Sequence, residues 1–325
     1  MDFTRRDVGR IALGCWPAAR LFGKPDSKFN GVQIGINAPY SFRGMPGSAD
    51  DVIRDVLQLG LNSVELRAQP VEHFLGGPVT IQKAAAPGSS QQKKGFSRPT
   101  PEQEEALRAQ IEEIRKWRLA LPRDKFKVAR KKFEDEGIFI DIVKIDDFTN
   151  RIDNMEDNEI DYCFEMTKAL GARAISCEPP VSKTQRLGAF AAKHQLRIGY
   201  HGHLSKDPGE FAQAASWEKA YSYSKYNAIN LDIGHYKAAG GDPVAFIKQY
   251  HERITHIHLK DRKADDGPNM PWGQGDTPVK EILQLMRKER YPFQATIEFE
   301  YTPPEGSDVM TEIGKCVRFC KDALA

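Results

Sequence analysis

Short apolar runs recur along this chain with helix-patterned segments between them, and that alternation restricts the fold more than any other feature. The runs fall at residues 31–36, 61–66, 138–143, 174–178, 197–201, 227–232, 254–259 and 295–300. Runs of this length, apolar nearly throughout, suit parallel strands that other layers cover on both faces. Eight strand–helix units in one chain predict an α/β fold, the closed (β/α)8 TIM barrel. An open doubly wound sheet is the alternative, but it normally carries a glycine-rich phosphate loop after its first strand, and no such loop follows residue 36.

Helical spacing marks 49–57, stopped by Gly60, then a charged region from 101 to 136, then 157–170, closed by Gly171, and 183–194. The stretch 76–101 is rich in Gly, Pro, Ser, Gln and Lys and reads as a long surface loop near or over a site. At the N-terminus, Arg5-Arg6 precedes a modest apolar stretch at 11–16, a pattern that suits a twin-arginine export signal. The expectation is a leader over 1–28, a barrel domain over 29–325 and a periplasmic location. A basic tail on a cytoplasmic protein is the plain alternative, and Ala12-Leu13-Gly14-Cys15 also loosely fits a lipoprotein site.

Charge and cysteine content exclude several classes. Lys and Arg number 47 against 45 Asp and Glu, a net +2, so no basic surplus points to a nucleic-acid partner. No apolar run reaches membrane-span length. The cysteines Cys15, Cys163, Cys177, Cys316 and Cys320 show no paired CxxC spacing, which argues against a zinc ribbon, and a disulfide framework is not expected in so large a chain. The partner expected is a small molecule, with the oligomeric state, a homo-oligomer included, left open.

Polar residues collect at the strand ends, where a barrel builds its active site. Glu65 ends the second run, Glu178 the fourth, His201 and His203 the fifth, Asp232 and His235 the sixth. His256, His258, Lys260 and Asp261 end the seventh, and Glu298 and Glu300 the eighth. Five of the eight histidines sit on three consecutive strand ends. Imidazole with carboxylate suits a divalent ion, with Mn²⁺ first and Zn²⁺, Co²⁺ or Mg²⁺ as alternatives. An open position on such an ion polarises a substrate oxygen. Asp232, His258 and Glu298 are expected ligands, and a helix cap is the plain alternative for Asp232. His256 lies one layer deeper and either meets substrate or is a buried structural histidine. Glu65 binds substrate or forms an ion pair. Lys260 and Arg262 are expected at substrate oxygens or as surface charges, and Trp272 against substrate from the loop at 267–277.

The segments Leu231-Asp232-Ile233-Gly234-His235, His256-Ile257-His258-Leu259-Lys260-Asp261 and Ile297-Glu298 resemble the xylose isomerase-like barrel superfamily. That group includes sugar-phosphate isomerases and epimerases, ketose 3-epimerases, inosose dehydratase and abasic-site endonucleases. The resemblance covers about 31–325 and implies metal ligands at Asp232, His258 and Glu298, with His235 touching substrate. Where the epimerases carry Glu on strand five, this chain has His201, in Tyr200-His201-Gly202-His203. A carboxylate stands one strand earlier, at Glu178, as in the inosose dehydratase branch. The first ligand is therefore His201, Glu178 or both.

The resulting expectation is a metal-dependent isomerase or epimerase of a small sugar. Glu178 or Glu298 takes the proton next to a carbonyl, and His201, His203 or His235 serves as acid. The alternatives are a lyase or dehydratase of inososes or 3-keto-glycosides, a metal-dependent phosphodiesterase, and a non-catalytic sugar-binding barrel.

Overall fold

The computed structural model describes residues 24–45, 47–79, 100–204, 207 and 209–325. The export-signal and Cys15 readings and most of the expected loop, 80–99, lie outside the described residues. Eight strands form the centre: β1 Val32–Ala38, β2 Ser63–Arg67, β3 Phe139–Lys144, β4 Ala174–Cys177, β5 Arg197–His201, β6 Asn227–Asp232, β7 Ile254–Leu259 and β8 Gln294–Ile297. Each pairs in parallel with the next, and β8 returns to β1 through Ile34↔Ala295 and Ile36↔Ile297. The sheet is thus a closed (β/α)8 barrel, as expected, and the open doubly wound sheet is excluded. A two-residue strand, Lys28–Phe29, adds antiparallel to the start of β1.

The helices form because their sequences supply both caps and an apolar stripe. Ser48 accepts from the Asp51 backbone N–H, and the Asp51 carboxylate reaches back to the Ser48 N–H, so a capping box opens the helix Ala49–Gln58. The helix Val279–Glu289 buries Val279, Ile282, Leu283 and Met286, the one-sided spacing that packs on a barrel. The charged region expected as one helix is two, Pro101–Ala120 and Lys125–Asp135. Pro122 explains the break: it disfavours a helical residue before it, and Leu121 sits at φ −68°, ψ 122°. No helix among the described residues is long and apolar enough to cross a membrane.

Strand alternation sends Val64, Leu66, Ile229, Leu231, Ile257 and Leu259 outward to the helices. Inside the barrel lie Ser63, Glu65, Ser176, Asn230, His256, His258, Gln294 and Thr296, all buried. Hydrogen bonds between non-adjacent strands mark this interior: Ser63 of β2 meets Gln294 of β8, and Asn230 Nδ2 of β6 donates to Ser176 Oγ of β4 at 3.0 Å. Gly35 makes room here, since a Cβ on it would come within 2.4 Å of the Gln294 side chain. The pairings Ile229↔Ile254 and Asn230↔His256 leave Thr255 as an extra residue in β7, a bulge just before the two histidines.

Candidate metal centre and active site

Four consecutive strands deliver one inward side chain each to the C-terminal mouth. His201 ends β5, Asp232 ends β6, His258 stands next to last on β7, and Glu298 lies one residue past β8. They offer ligand atoms all within 4.8 Å of one another, and all four residues are buried. His201 Nε2 is 3.5 Å from Asp232 Oδ2 and 3.9 Å from Glu298 Oε2, and His258 Nδ1 is 3.2 Å from Glu298 Oε1. Neither His201 nitrogen nor His258 Nδ1 has a hydrogen-bond partner among the described residues. Buried polar atoms left in that state are costly. Two nitrogens and two carboxylates aimed at one point fit a divalent cation. Burial and the neighbouring His258 push His201 well below the ordinary histidine range, the neutral form that metal binding requires. Asp232 also caps the helix Ile233–Ala238, accepting from His235 N at 2.7 Å, so the two expected readings of Asp232 hold at once.

One layer deeper, Glu65 is fully buried between two imidazoles. His258 Nε2 lies 2.5 Å from Glu65 Oε2, and His256 Nε2 lies 3.2 Å from the same oxygen. Burial opposes the charged form of His258, but Glu65 and Glu298 outweigh it and raise the ring to about 10 in the ion-free protein. Glu65 and His256 are therefore interior residues. The expectation that they meet substrate is corrected by their zero exposure and by these contacts.

Beside the four ligand atoms, the Lys260 ammonium is 2.9 Å from Asp232 Oδ2 and 2.7 Å from both Glu298 Oε2 and Glu300 Oε2. Burial would depress it, yet the three carboxylates hold it well above the ordinary lysine range. Its three hydrogens have three acceptors, so Lys260 is an internal counter-ion and no free surface charge. His235 has Lys260 Nζ at 3.0 Å from Nε2 and Arg262 Nη1 at 2.7 Å from Nδ1. Burial and Lys260 keep His235 neutral, so its ring has one lone pair for two cations. The two cations hold the ring between them. Arg262 is itself fixed by two bonds to the Gly267 carbonyl, at 3.0 and 2.6 Å.

On the other side of His201, Glu178 and His203 form a second group. Glu178 Oε1 is 3.4 Å from His201 Nδ1, and Glu178 Oε2 is 3.6 Å from His203 Nε2. Glu178 also pairs with the buried Lys144, at the end of β3. Burial would raise its carboxyl, but Lys144 and the two histidines draw it well below the usual range. Gly202, between the histidines, passes so close to the Phe211 carbonyl that a Cβ would come within 2.3 Å. Glu178 is thus separate from the four converging residues. Glu178 and His203 also bring ligand atoms within 4.8 Å of His201, a second group that could hold an ion alongside the first. Trp272 meets Phe319 of the helix Val309–Leu324 edge-on, at a 5.7 Å centroid distance. That contact packs one edge of the half-buried ring on the outer layer.

Several mouth residues escaped the sequence reading. Tyr40 bonds Glu300, Asn37 Nδ2 donates to Glu298 Oε1 at 2.9 Å, and Arg67 pairs with Asp146 at 2.5 Å. Lys144 follows the strand-end rule used for the others, one position past the expected end of its strand. Asp261 accepts from the amides of Gly273, Gly275 and Thr277 and anchors the loop after β7.

Fold and site together define a (β/α)8 barrel with a histidine–carboxylate cluster suited to a metal at its C-terminal mouth. The chain belongs to the xylose isomerase-like TIM barrel family, whose profile matches residues 144–318. It is similar to inosose dehydratase of Clostridium botulinum, 36% identical over 137 residues, or 36% of this chain and 45% of that protein. Inosose dehydratase of Clostridium beijerinckii is 34% identical over 123 residues, 37% of this chain and 35% of that protein. The chain thus spans less than half the length of these curated relatives. Among solved structures, 3-keto-D-glucoside 4-epimerase YcjR of E. coli aligns with TM-score 0.59 at 11% identity, over 90% of this chain and 99% of that one. The IolI protein with a bound zinc atom aligns with TM-score 0.57 at 12% identity, over 90% and 98%. At these identities the two structures show the shared fold.

Proposed function

We propose that this chain is a metal-dependent enzyme that moves a proton next to the carbonyl of a small keto-sugar or inosose. The observation that carries the reading is the convergence of His201, Asp232, His258 and Glu298 on one point. These four residues would hold the ion, and the zinc in the related IolI fold supports that assignment. When bound, a divalent ion supplies Lewis-acid polarisation of a substrate carbonyl. Glu178, kept ionised by Lys144 and facing outward beside His203, takes the proton from the adjacent C–H. His235, whose ring lies 5.3 Å from that of His203, contacts substrate oxygen on the same side of the mouth. Lys260 keeps the charge of Asp232, Glu298 and Glu300 balanced around that point.

Returning the proton to the neighbouring carbon gives isomerisation, and returning it on the opposite face gives epimerisation. A second reading is dehydration, in which a β-hydroxyl leaves with a proton from His203 or His235. Similarity to two inosose dehydratases favours it. The test is incubation of the Mn²⁺-loaded protein in D₂O with a panel of inososes and keto-sugars, followed by NMR. Isomerisation or epimerisation is expected to leave deuterium on the carbon that is reprotonated, whereas dehydration gives an unsaturated product or its diketone in which the hydrogen next to the original carbonyl is gone. Turnover of a substrate that retains its original hydrogen at that carbon overturns the reading.

A further inference from the structure

We propose that Glu65 is a positioning residue for the metal centre, holding His258 by Nε2 so that Nδ1 is the atom presented to the ion. The inference rests on the reading of His201, Asp232, His258 and Glu298 as ligands. Glu65 is on β2 and His258 on β7, so their 2.5 Å contact crosses the barrel interior. Both side chains have zero exposure. A carboxylate sealed inside a protein needs a cationic or hydrogen-bonding partner, and the ring needs a fixed acceptor if one nitrogen is to stay free. An imidazole has two nitrogens. With Nε2 committed to Glu65, Nδ1 faces Glu298 Oε1 at 3.2 Å.

His256 packs beside the same Glu65 carboxylate oxygen. Its Nε2 is 3.2 Å from Glu65 Oε2, and its Nδ1 is 2.9 Å from Thr255 Oγ1. Thr255 is held in turn by donating to the Ile229 carbonyl at 3.0 Å. The bulge at Thr255 therefore sets His256 beside Glu65, and Glu65 fixes the His258 ring. In a carboxylate–histidine–metal arrangement the outer carboxylate fixes both tautomer and ring angle, and its loss typically weakens metal binding about 10–100-fold.

The test compares full-length wild type, Glu65→Gln, Glu65→Leu, His258→Ala and the double variant Glu65→Gln/His258→Ala. Each is stripped with chelator and titrated calorimetrically with Mn²⁺ and Zn²⁺. Glu65→Gln keeps the volume and one acceptor oxygen and is expected to weaken binding about 10-fold or more. On the His258→Ala background the same change should alter affinity by less than about 2-fold, because Glu65 acts through that ring. Histidine ¹⁵N spectra of the Zn²⁺-loaded wild type should show His258 with its hydrogen on Nε2, and Glu65→Gln should disturb that signature. If Glu65→Leu does not fold, Glu65→Gln and the double variant decide. Wild-type affinity in Glu65→Gln, or an equal loss on both backgrounds, overturns the role of Glu65 while leaving the metal centre standing. Failure of the wild type to bind either ion overturns both.

Discussion

Lys260 Nζ lies 2.7 Å from Glu298 Oε2, the same oxygen that faces His201 across the proposed metal position. It is also 2.9 Å from Asp232 Oδ2, a second atom of the cluster. Ammonium and divalent ion therefore claim the same carboxylate face. Lys260→Met removes the only ammonium those two residues meet among the described residues and leaves buried charge without a partner. The variant is expected to lose about 3 kcal/mol of stability in chelator. Saturating Mn²⁺ should recover part of that loss, so the ion-induced stabilisation should exceed that of wild type. Urea melts with and without Mn²⁺ measure both quantities, and equal melts in chelator would remove Lys260 from its place as counter-ion.

Asp232 carries two duties that a single substitution separates. Its Oδ1 caps the helix Ile233–Ala238, and its Oδ2 faces the cluster. Asparagine is as good a cap as aspartate. Asp232→Asn should therefore keep the helix cap but lose the buried pair with Lys260, a cost of about 3 kcal/mol in chelator, while metal affinity and turnover collapse. Loss of a Lewis-acid centre amounts to several kcal/mol at the transition state, so turnover should fall at least about 10²-fold. Binding of Mn²⁺ by the variant at wild-type affinity would show that the ion sits elsewhere.

Glu178 tests the division between holding an ion and moving a proton. It pairs with Lys144 and faces His203, apart from the four converging residues. Glu178→Gln should lower turnover by about 10²–10⁴-fold, the usual contribution of a positioned acid–base group. Metal affinity should stay within a few fold of wild type, and solvent deuterium exchange into substrate should fall in parallel with turnover. A large loss of metal affinity in Glu178→Gln would place this carboxylate in the ligand set.

The strands were legible because an apolar run between turn signals is a local property, and the closed ring follows from their number. The division of the expected helix 101–136 was also written locally, at Pro122, but helical periodicity on both sides masked it. Asp232, His258 and Glu298 were legible because strand-end position alone brings residues to a barrel mouth. The place of Glu65 was not. Its partner His258 is 193 residues away, and only closure of the barrel between β2 and β7 makes them neighbours. One signal was available: Glu65 stands two positions before Arg67 on its strand, as His256 stands two before His258. Each therefore belongs one layer beneath the rim. Lys144 and Arg67 were passed over because lone cations at strand ends look like surface charge until a buried carboxylate partner is seen.

Stability in chelator should depend on pH from both sides. Burial would raise Asp147, but Arg118 and Arg151 hold it below its ordinary 3.8, and His258 and His256 hold Glu65 well below its ordinary 4.5. Groups depressed in the folded state stabilise it above their unfolded values and stop doing so as pH falls through the folded ones. The melting temperature should therefore fall as pH drops below about 6.5, where the unfolded chain protonates histidines that stay neutral in the fold, and fall further below about 4.5 as these carboxylates protonate. His258 acts in the opposite sense. Its folded value, about 10, lies above the ordinary 6.5, so its contribution is complete below 6.5 and is lost as pH rises toward 10. The metal-free protein should be most stable near a pH of about 6.5 and should soften steadily from neutral to alkaline pH. Saturating Mn²⁺ should flatten the alkaline side, because an ion on Nδ1 takes the place of the proton there. Calorimetric melts across the range, with and without Mn²⁺, read both limbs. An alkaline limb identical in chelator and in metal would mean that His258 does not exchange a proton for the ion.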